Sequence, residues 1–117
     1  PHLTSPSKLE IHNRTMDNPG ILSKEENITL CLTADTGSQT SVLPMTIGFF
    51  IRRGLSFEDA IKGVTINAAK VLQLDDRIGS LEAGKDADIA VFDGNPFDSM
   101  SLCRLVMIDG EIYKNTL

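Results

Sequence analysis

Gly63-Val64-Thr65-Ile66-Asn67-Ala68-Ala69-Lys70-Val71-Leu72 and, after a polar gap, Ile78-Gly79-Ser80-Leu81-Glu82-Ala83-Gly84-Lys85-Asp86-Ala87-Asp88-Ile89-Ala90-Val91-Phe92-Asp93 form the stretch that decides the fold. In the first part Thr65 stands where it can cap a short helix running through Leu72, and Asp75-Asp76-Arg77 then supplies polar turn residues. In the second part the pattern changes from helix to β. Residues 78–82 read as extended, Gly79 and Gly84 permit turn backbone angles, and Lys85 and Asp86 occupy a polar turn. Residues 87–93 then form an apolar strand suited to packing in a sheet.

Upstream, Ser56 with Asp59 three residues on makes an approximate capping box, and Ala60, Ile61 and Val64 supply the buried side of the helix that follows. Before it, a helix from Leu43 or Pro44 is expected to run to Arg53 and stop at Gly54. Thr36-Gly37-Ser38-Gln39-Thr40-Ser41 reads as a polar loop. Ile28-Thr29-Leu30-Cys31-Leu32-Thr33-Ala34 is apolar and β-branched, as in a strand of a parallel sheet buried on both faces, and it ends at Asp35. Asn18-Pro19-Gly20 is turn chemistry, and residues 21–26 suit a short helix. Residues 1–6, rich in Pro, Ser and Thr, read as a loop.

Downstream, Leu105-Val106-Met107-Ile108 and Glu111-Ile112-Tyr113 flank Asp109-Gly110. Asp-Gly between two apolar runs predicts a hairpin with a type I′ turn, because both central positions need positive φ.

Composition narrows the function classes. Eleven basic against sixteen acidic residues give a net charge of −5, with Arg52-Arg53 the one adjacent basic pair, so a phosphate-binding surface and a nucleic-acid partner are not expected. That pair reads as the solvated end of a helix, where positive charge suits the dipole. No apolar run reaches the roughly 18–20 residues of a membrane span and no signal-peptide pattern opens the chain, so a cytoplasmic protein without a membrane partner is expected. Cys31 and Cys103 each lie in an apolar run and read as small hydrophobes, not a disulfide. Asn13-Arg14-Thr15 and Asn27-Ile28-Thr29 fit the glycosylation pattern by chance on the same grounds.

Asp35 is the residue with the strongest claim to chemistry. A carboxylate at the C-terminal end of a buried parallel strand is where (β/α) barrels place catalytic groups. The competing reading is a capping Asp that satisfies backbone N–H groups of the next loop or helix. Asp86 and Asp88 resemble a carboxylate pair but sit among turn residues without an accompanying base or ligand, and read as structural.

These segments together resemble the end of amidohydrolase-superfamily enzymes, nearest to the imidazolonepropionase-like branch. The residues that carry the resemblance are Leu32-Thr33-Ala34-Asp35, the run from Gly63 to Leu72, and Gly79-Ser80-Leu81-Glu82-Ala83-Gly84-Lys85-Asp86-Ala87-Asp88. Thr4-Ser5-Pro6-Ser7-Lys8 and Asn18-Pro19-Gly20-Ile21-Leu22 resemble the segment before that branch's last barrel strand, so nearly the whole chain is covered. The resemblance implies an α/β chain. Residues 1–74 would be the last strand and helices of a (β/α)8 barrel, and residues 75–117 the C-terminal strands of a small closing β-sandwich. It implies metal-dependent hydrolysis of C–N bonds in a small-molecule amide. It also implies that Asp35 is the last-strand Asp, at once metal ligand and catalytic carboxylate. The implied cofactor is a divalent metal, zinc first, iron or manganese as alternatives.

The sequence departs from that pattern where catalysis needs most. It contains no His-x-His, and a catalytic zinc takes three protein ligands, whereas this chain has two isolated histidines, His2 and His12. An exposed loop residue without function is an equally good reading of His2, and a better one of His12. Relatives often have His-Pro after the last-strand Asp; here Thr36-Gly37 follows. A barrel needs about 250 residues, so the chain is expected to be an incomplete fold lacking the N-terminal barrel, inactive by itself and prone to homo-oligomerise through uncovered apolar faces. The alternatives are a stand-alone assembly or binding module without chemistry, or part of a deaminase or dipeptidase of the same superfamily.

Overall fold

The computed structural model describes residues 15–35 and 37–117. Its elements run α1 Asn18–Leu22, α2 Gly37–Thr40, α3 Leu43–Arg52, α4 Phe57–Val64, α5 Ile66–Val71, β1 Ile89–Phe92, β2 Cys103–Ile108 and β3 Glu111–Asn115. The helices precede a three-stranded antiparallel sheet of order β1-β2-β3, an α/β arrangement.

The helical part forms around α3 and α4. Pro44 lies in the first turn of α3, where its missing N–H costs no hydrogen bond. The helix ends in a Schellman motif: Gly54 has φ +105°, its N–H donates to the Ile51 carbonyl, and the Leu55 N–H donates to the Phe50 carbonyl at 3.0 Å. Leu55 is thereby turned onto Phe50, and both are buried. Ser56 then caps α4 by accepting from the Asp59 N–H at 2.9 Å. The reciprocal bond is altered, since the Ser56 hydroxyl itself donates to the Asp59 carboxylate. Leu32, Ile47, Phe50, Leu55, Ala60 and Phe97 make the core, with Leu30, Ile51, Ile61 and Val64 packed against it.

Phe97, from the connection between β1 and β2, joins the two parts. Its ring meets Phe57 edge-on at 5.8 Å between centroids. The hairpin is as expected, with Asp109 at φ +49° and Gly110 at φ +79° between β2 and β3. The N–H groups of Asp109 and Gly110 also donate to Asp88 Oδ1 and the Ala87 carbonyl, which ties the turn to the start of β1.

Several expectations are corrected. Residues 28–34 form neither helix nor strand and join no sheet; a ladder needs a neighbouring strand, and the strands among the described residues pair with one another. Residues 78–82 are loop, not strand, because Gly79 at φ +90° lays the backbone against Ala69 and Ile66 of α5. The turn at 18–20 is itself the first turn of α1, with Pro19 in place, and the helix ends at Leu22 rather than Glu26. Gly37–Thr40 closes one helical turn where a loop was expected. Thr65 precedes α5 without capping it, since its hydroxyl donates backwards to the Ile61 carbonyl at 2.7 Å. Arg53 is no merely solvated helix end, because its guanidinium grips Asp17 through Nε at 2.8 Å and Nη2 at 3.3 Å. Cys31 and Cys103 are free thiols. Among the described residues no helix is long and apolar enough to cross a membrane.

Candidate functional site

Asp35 ends the apolar segment that begins at Ile28. Leu32 is buried among the α3 and α4 side chains and Leu30 packs beside it, while Thr33 and Asp35 are exposed. The Asp35 N–H donates to Gln39 Oε1 of α2 at 3.3 Å, which folds the residues after the carboxylate back towards it.

Lacking a strand beside it, the segment satisfies its inner backbone groups on the helices, as buried N–H and C=O groups must be satisfied. The Leu32 N–H donates to the Gly63 carbonyl at 2.9 Å, occupying one of the orphan carbonyls at the end of α4. Asn67 Nδ2 of α5 donates to the Leu30 carbonyl, also at 2.9 Å. Gly63 is buried, and a β-carbon there would come within 3.1 Å of Leu32 Cγ. The sequence alone did not single out these two positions. The signal was Gly at the end of a helix and Asn at the start of the next, both within the run most like known enzymes.

A metal tests the donor set. No group of three or more His, Cys, Asp or Glu that could hold an ion occurs among the described residues, and His2 and His12 lie outside them. One exposed carboxylate does not fit a metal by itself. Asp86 and Asp88 have the structural roles expected of them, Asp86 pairing with Arg77 and Asp88 accepting from the Asp109 N–H. Lys85 Nζ, almost enclosed, donates to the Asp75 carbonyl and to Ser80 Oγ, each at 2.6 Å, and pins the loop between α5 and β1. The Ser80 hydroxyl and then Lys85 hold the Glu82 carboxyl below its usual range.

An open groove of about 480 Å³ is lined by Thr15, Met16, Phe49, Arg52 and Arg53. None of these belongs to the segment carrying Asp35. Beside two of these lining residues, the Asp17 carboxyl is held below its usual range by the Thr15 hydroxyl and by Arg53.

Comparison with known proteins completes the site's setting. Residues 17–113 match the model of the Amidohydrolase family, which is most of the chain. The chain is 33% identical over 89 residues to the imidazolonepropionase of Picrophilus torridus, covering 73% of this chain and 23% of that protein. It is 34% identical over 93 residues to the imidazolonepropionase of Streptococcus pyogenes, covering 80% and 21%. The crystal structure of an amidohydrolase from Thermotoga maritima superposes with a TM-score of 0.85 at 37% identity, over 93% of this chain and 28% of that one. The chain thus spans about a quarter of the length of these relatives. Matched along most of its own length in sequence and in structure, this chain belongs to the Amidohydrolase family.

Proposed function

We propose that this chain is the C-terminal part of a hydrolase that opens C–N bonds of small cyclic or linear amides, with Asp35 as the carboxylate at its reaction centre. The observation that carries the reading is an exposed Asp at the end of an apolar segment whose Leu32 is buried on helices. Barrel enzymes place their chemistry at such strand ends. In this reading residues 28–34 are the last strand of a (β/α)8 barrel, residues 1–74 belong to that barrel, and residues 75–117 add strands to a closing β-sandwich.

A divalent metal held by Asp35 together with residues outside this chain would supply the lowered pKa of the attacking water. Zinc is the first choice, iron or manganese the alternatives, and the further ligands come from polypeptide beyond this chain. Asp35 contributes one ligating carboxylate. Its oxygen accepts a proton from the attacking water and passes it to the leaving nitrogen as the C–N bond breaks. Curated relatives are imidazolonepropionases, so a cyclic amide is the first substrate class to test. The working location is the cytoplasm.

The test uses the full-length polypeptide against a panel of cyclic and linear amides, before and after chelation and zinc restoration. Hydrolysis that needs the metal and falls about 100-fold or more in Asp35→Asn supports the reading. Full activity in that variant, or none toward any amide in the parent, overturns it. The 117-residue chain alone is expected to be inactive and to bind zinc weakly by calorimetry, since it offers one carboxylate; a tight stoichiometric site abolished by Asp35→Asn would contradict this.

A further inference from the structure

We propose that Gln39 is a specificity-determining residue, whose side-chain amide selects substrates carrying a second neutral acceptor, such as another ring carbonyl. This rests on the reading of Asp35 as the reaction-centre carboxylate. The chain does not run straight on after Asp35. It turns through α2, a single helical turn at Gly37–Thr40, and returns the Gln39 side chain to the backbone of Asp35, whose N–H donates to Gln39 Oε1 at 3.3 Å. The Gln39 carbonyl accepts from the Val42 N–H at 3.2 Å, which fastens the residue to the entry of α3. Both bonds join near neighbours inside one connection, so they need nothing from polypeptide beyond this chain.

In a barrel, the connections that follow the strands build the active-site face. Gln39 stands in the connection that follows Asp35, and it is exposed there. A glutamine amide has an acceptor end and a donor end. Its acceptor end is turned to the Asp35 N–H, so the end left for a ligand is the NH2 group. That donor carries no charge. A carboxylate taken out of water needs a cation to offset its desolvation, whereas a carbonyl needs only a hydrogen bond, so a neutral carbonyl is the acceptor that suits Gln39.

The test uses the full-length protein with two cyclic amides of one ring size, succinimide with two ring carbonyls and 2-pyrrolidinone with one. Gln39→Glu keeps an oxygen for the Asp35 N–H and exchanges the NH2 group for a second oxygen, while Gln39→Leu removes both ends. Each variant is scored by the ratio of kcat/KM for succinimide to that for 2-pyrrolidinone. A displaced Asp35, or the added charge of Glu, acts on both amides and cancels in this ratio. The expected result is a ratio about fivefold below the parent's in both variants, the size of one neutral hydrogen bond. Binding of the two amides to the metal-depleted protein, followed by ligand-observed NMR, should lose the same preference, a change that a role in placing Asp35 would not produce. Where the parent turns over neither amide, the binding preference alone decides. A parent without preference for succinimide, or variants that keep the parent's preference even as absolute rates fall, overturns the inference. Asp35→Asn separates the two ideas: full activity in that variant sinks the catalytic reading, whereas an inactive Asp35→Asn beside an unchanged ratio in both Gln39 variants sinks the specificity role alone.

Discussion

The carbonyl oxygen of Phe97 lies 2.5 Å from the point that a β-carbon on Gly48 would occupy. Gly48 sits in the middle of α3, where glycine is otherwise unfavourable, and its bare surface lets the β1–β2 connection come down onto the helix. That approach brings the Phe97 ring into the helical core, so one missing methyl group decides how the sheet docks.

Gly48→Ala should therefore destabilise the chain by about 1–3 kcal/mol, the usual range for overpacking, despite the gain in helix propensity. The obstacle is backbone, which cannot rotate aside as a side-chain tip would. Gly37→Ala is the matched control, with nothing within 4 Å of its added carbon. Urea unfolding of the pair should show a lower midpoint for the first and an unchanged or higher one for the second; equal midpoints would refute the close approach.

Substitution at Gly110 should weaken the hairpin by about 1 kcal/mol or more for Ala, because residues with a β-carbon resist its φ of +79°. Asp109→Asn should be nearly neutral, since Asn accepts positive φ and the N–H that reaches Asp88 is backbone. Thermal unfolding followed by far-ultraviolet circular dichroism distinguishes the two. A Gly110→Ala protein as stable as the parent would mean that the turn is not held in this conformation.

Features governed by neighbouring residues were legible in the sequence. The Asp109-Gly110 turn, the Gly54 stop and the Ser56 cap each depend on backbone geometry within a few positions, and each stands where it was expected. The failures share a cause. Residues 28–34 have strand composition, but a strand is a relation to a neighbour that composition does not contain. Gly79 looked like a turn within a strand, whereas its function is contact with α5, 10 residues away at Ala69 and farther at Ile66. The bonds from Gly63 to Leu32 and from Asn67 to Leu30 could not be read from the sequence, because they act through space across roughly 30 residues or more.

Acid should loosen the loop between β1 and β2 first. The Asp93 carboxylate accepts from the Leu102 N–H at 2.8 Å and from Arg104 Nε at 2.9 Å, and these contacts hold its pKa below the usual value. The folded chain therefore binds fewer protons here than the unfolded one. The linked stability is complete above the ordinary aspartate value of about 3.9 and disappears as pH falls through the lower folded-state value. Glu82 and Asp17 act in the same sense. The urea midpoint should fall between pH 6 and pH 3, and Asp93→Ala should lower it at pH 6 while flattening that dependence. A midpoint equally steep in pH for the variant would remove Asp93 from the account.

The isolated chain should self-associate, and the sheet says where. Register places Ile89, Met107 and Ile112 in one row across the three strands, with Val91 opposite Leu105 in the next, so one face carries a continuous apolar patch. Ile112 remains 53% exposed and Val91 37%. Uncovered apolar rows of this kind drive association, and the outer edge of β3 pairs with no other strand among the described residues. Light scattering on the 12.7 kDa chain should report species larger than a monomer. Replacing Ile112 and Val91 together with Lys should shift the distribution towards monomer without loss of the helical signal, since neither residue contributes to the core around Phe50. A parent chain that is monomeric at every concentration tested would show that this face needs no cover; association unchanged by the double substitution would move the contact elsewhere, to exposed residues such as Leu81 or Met100 in the connecting loops.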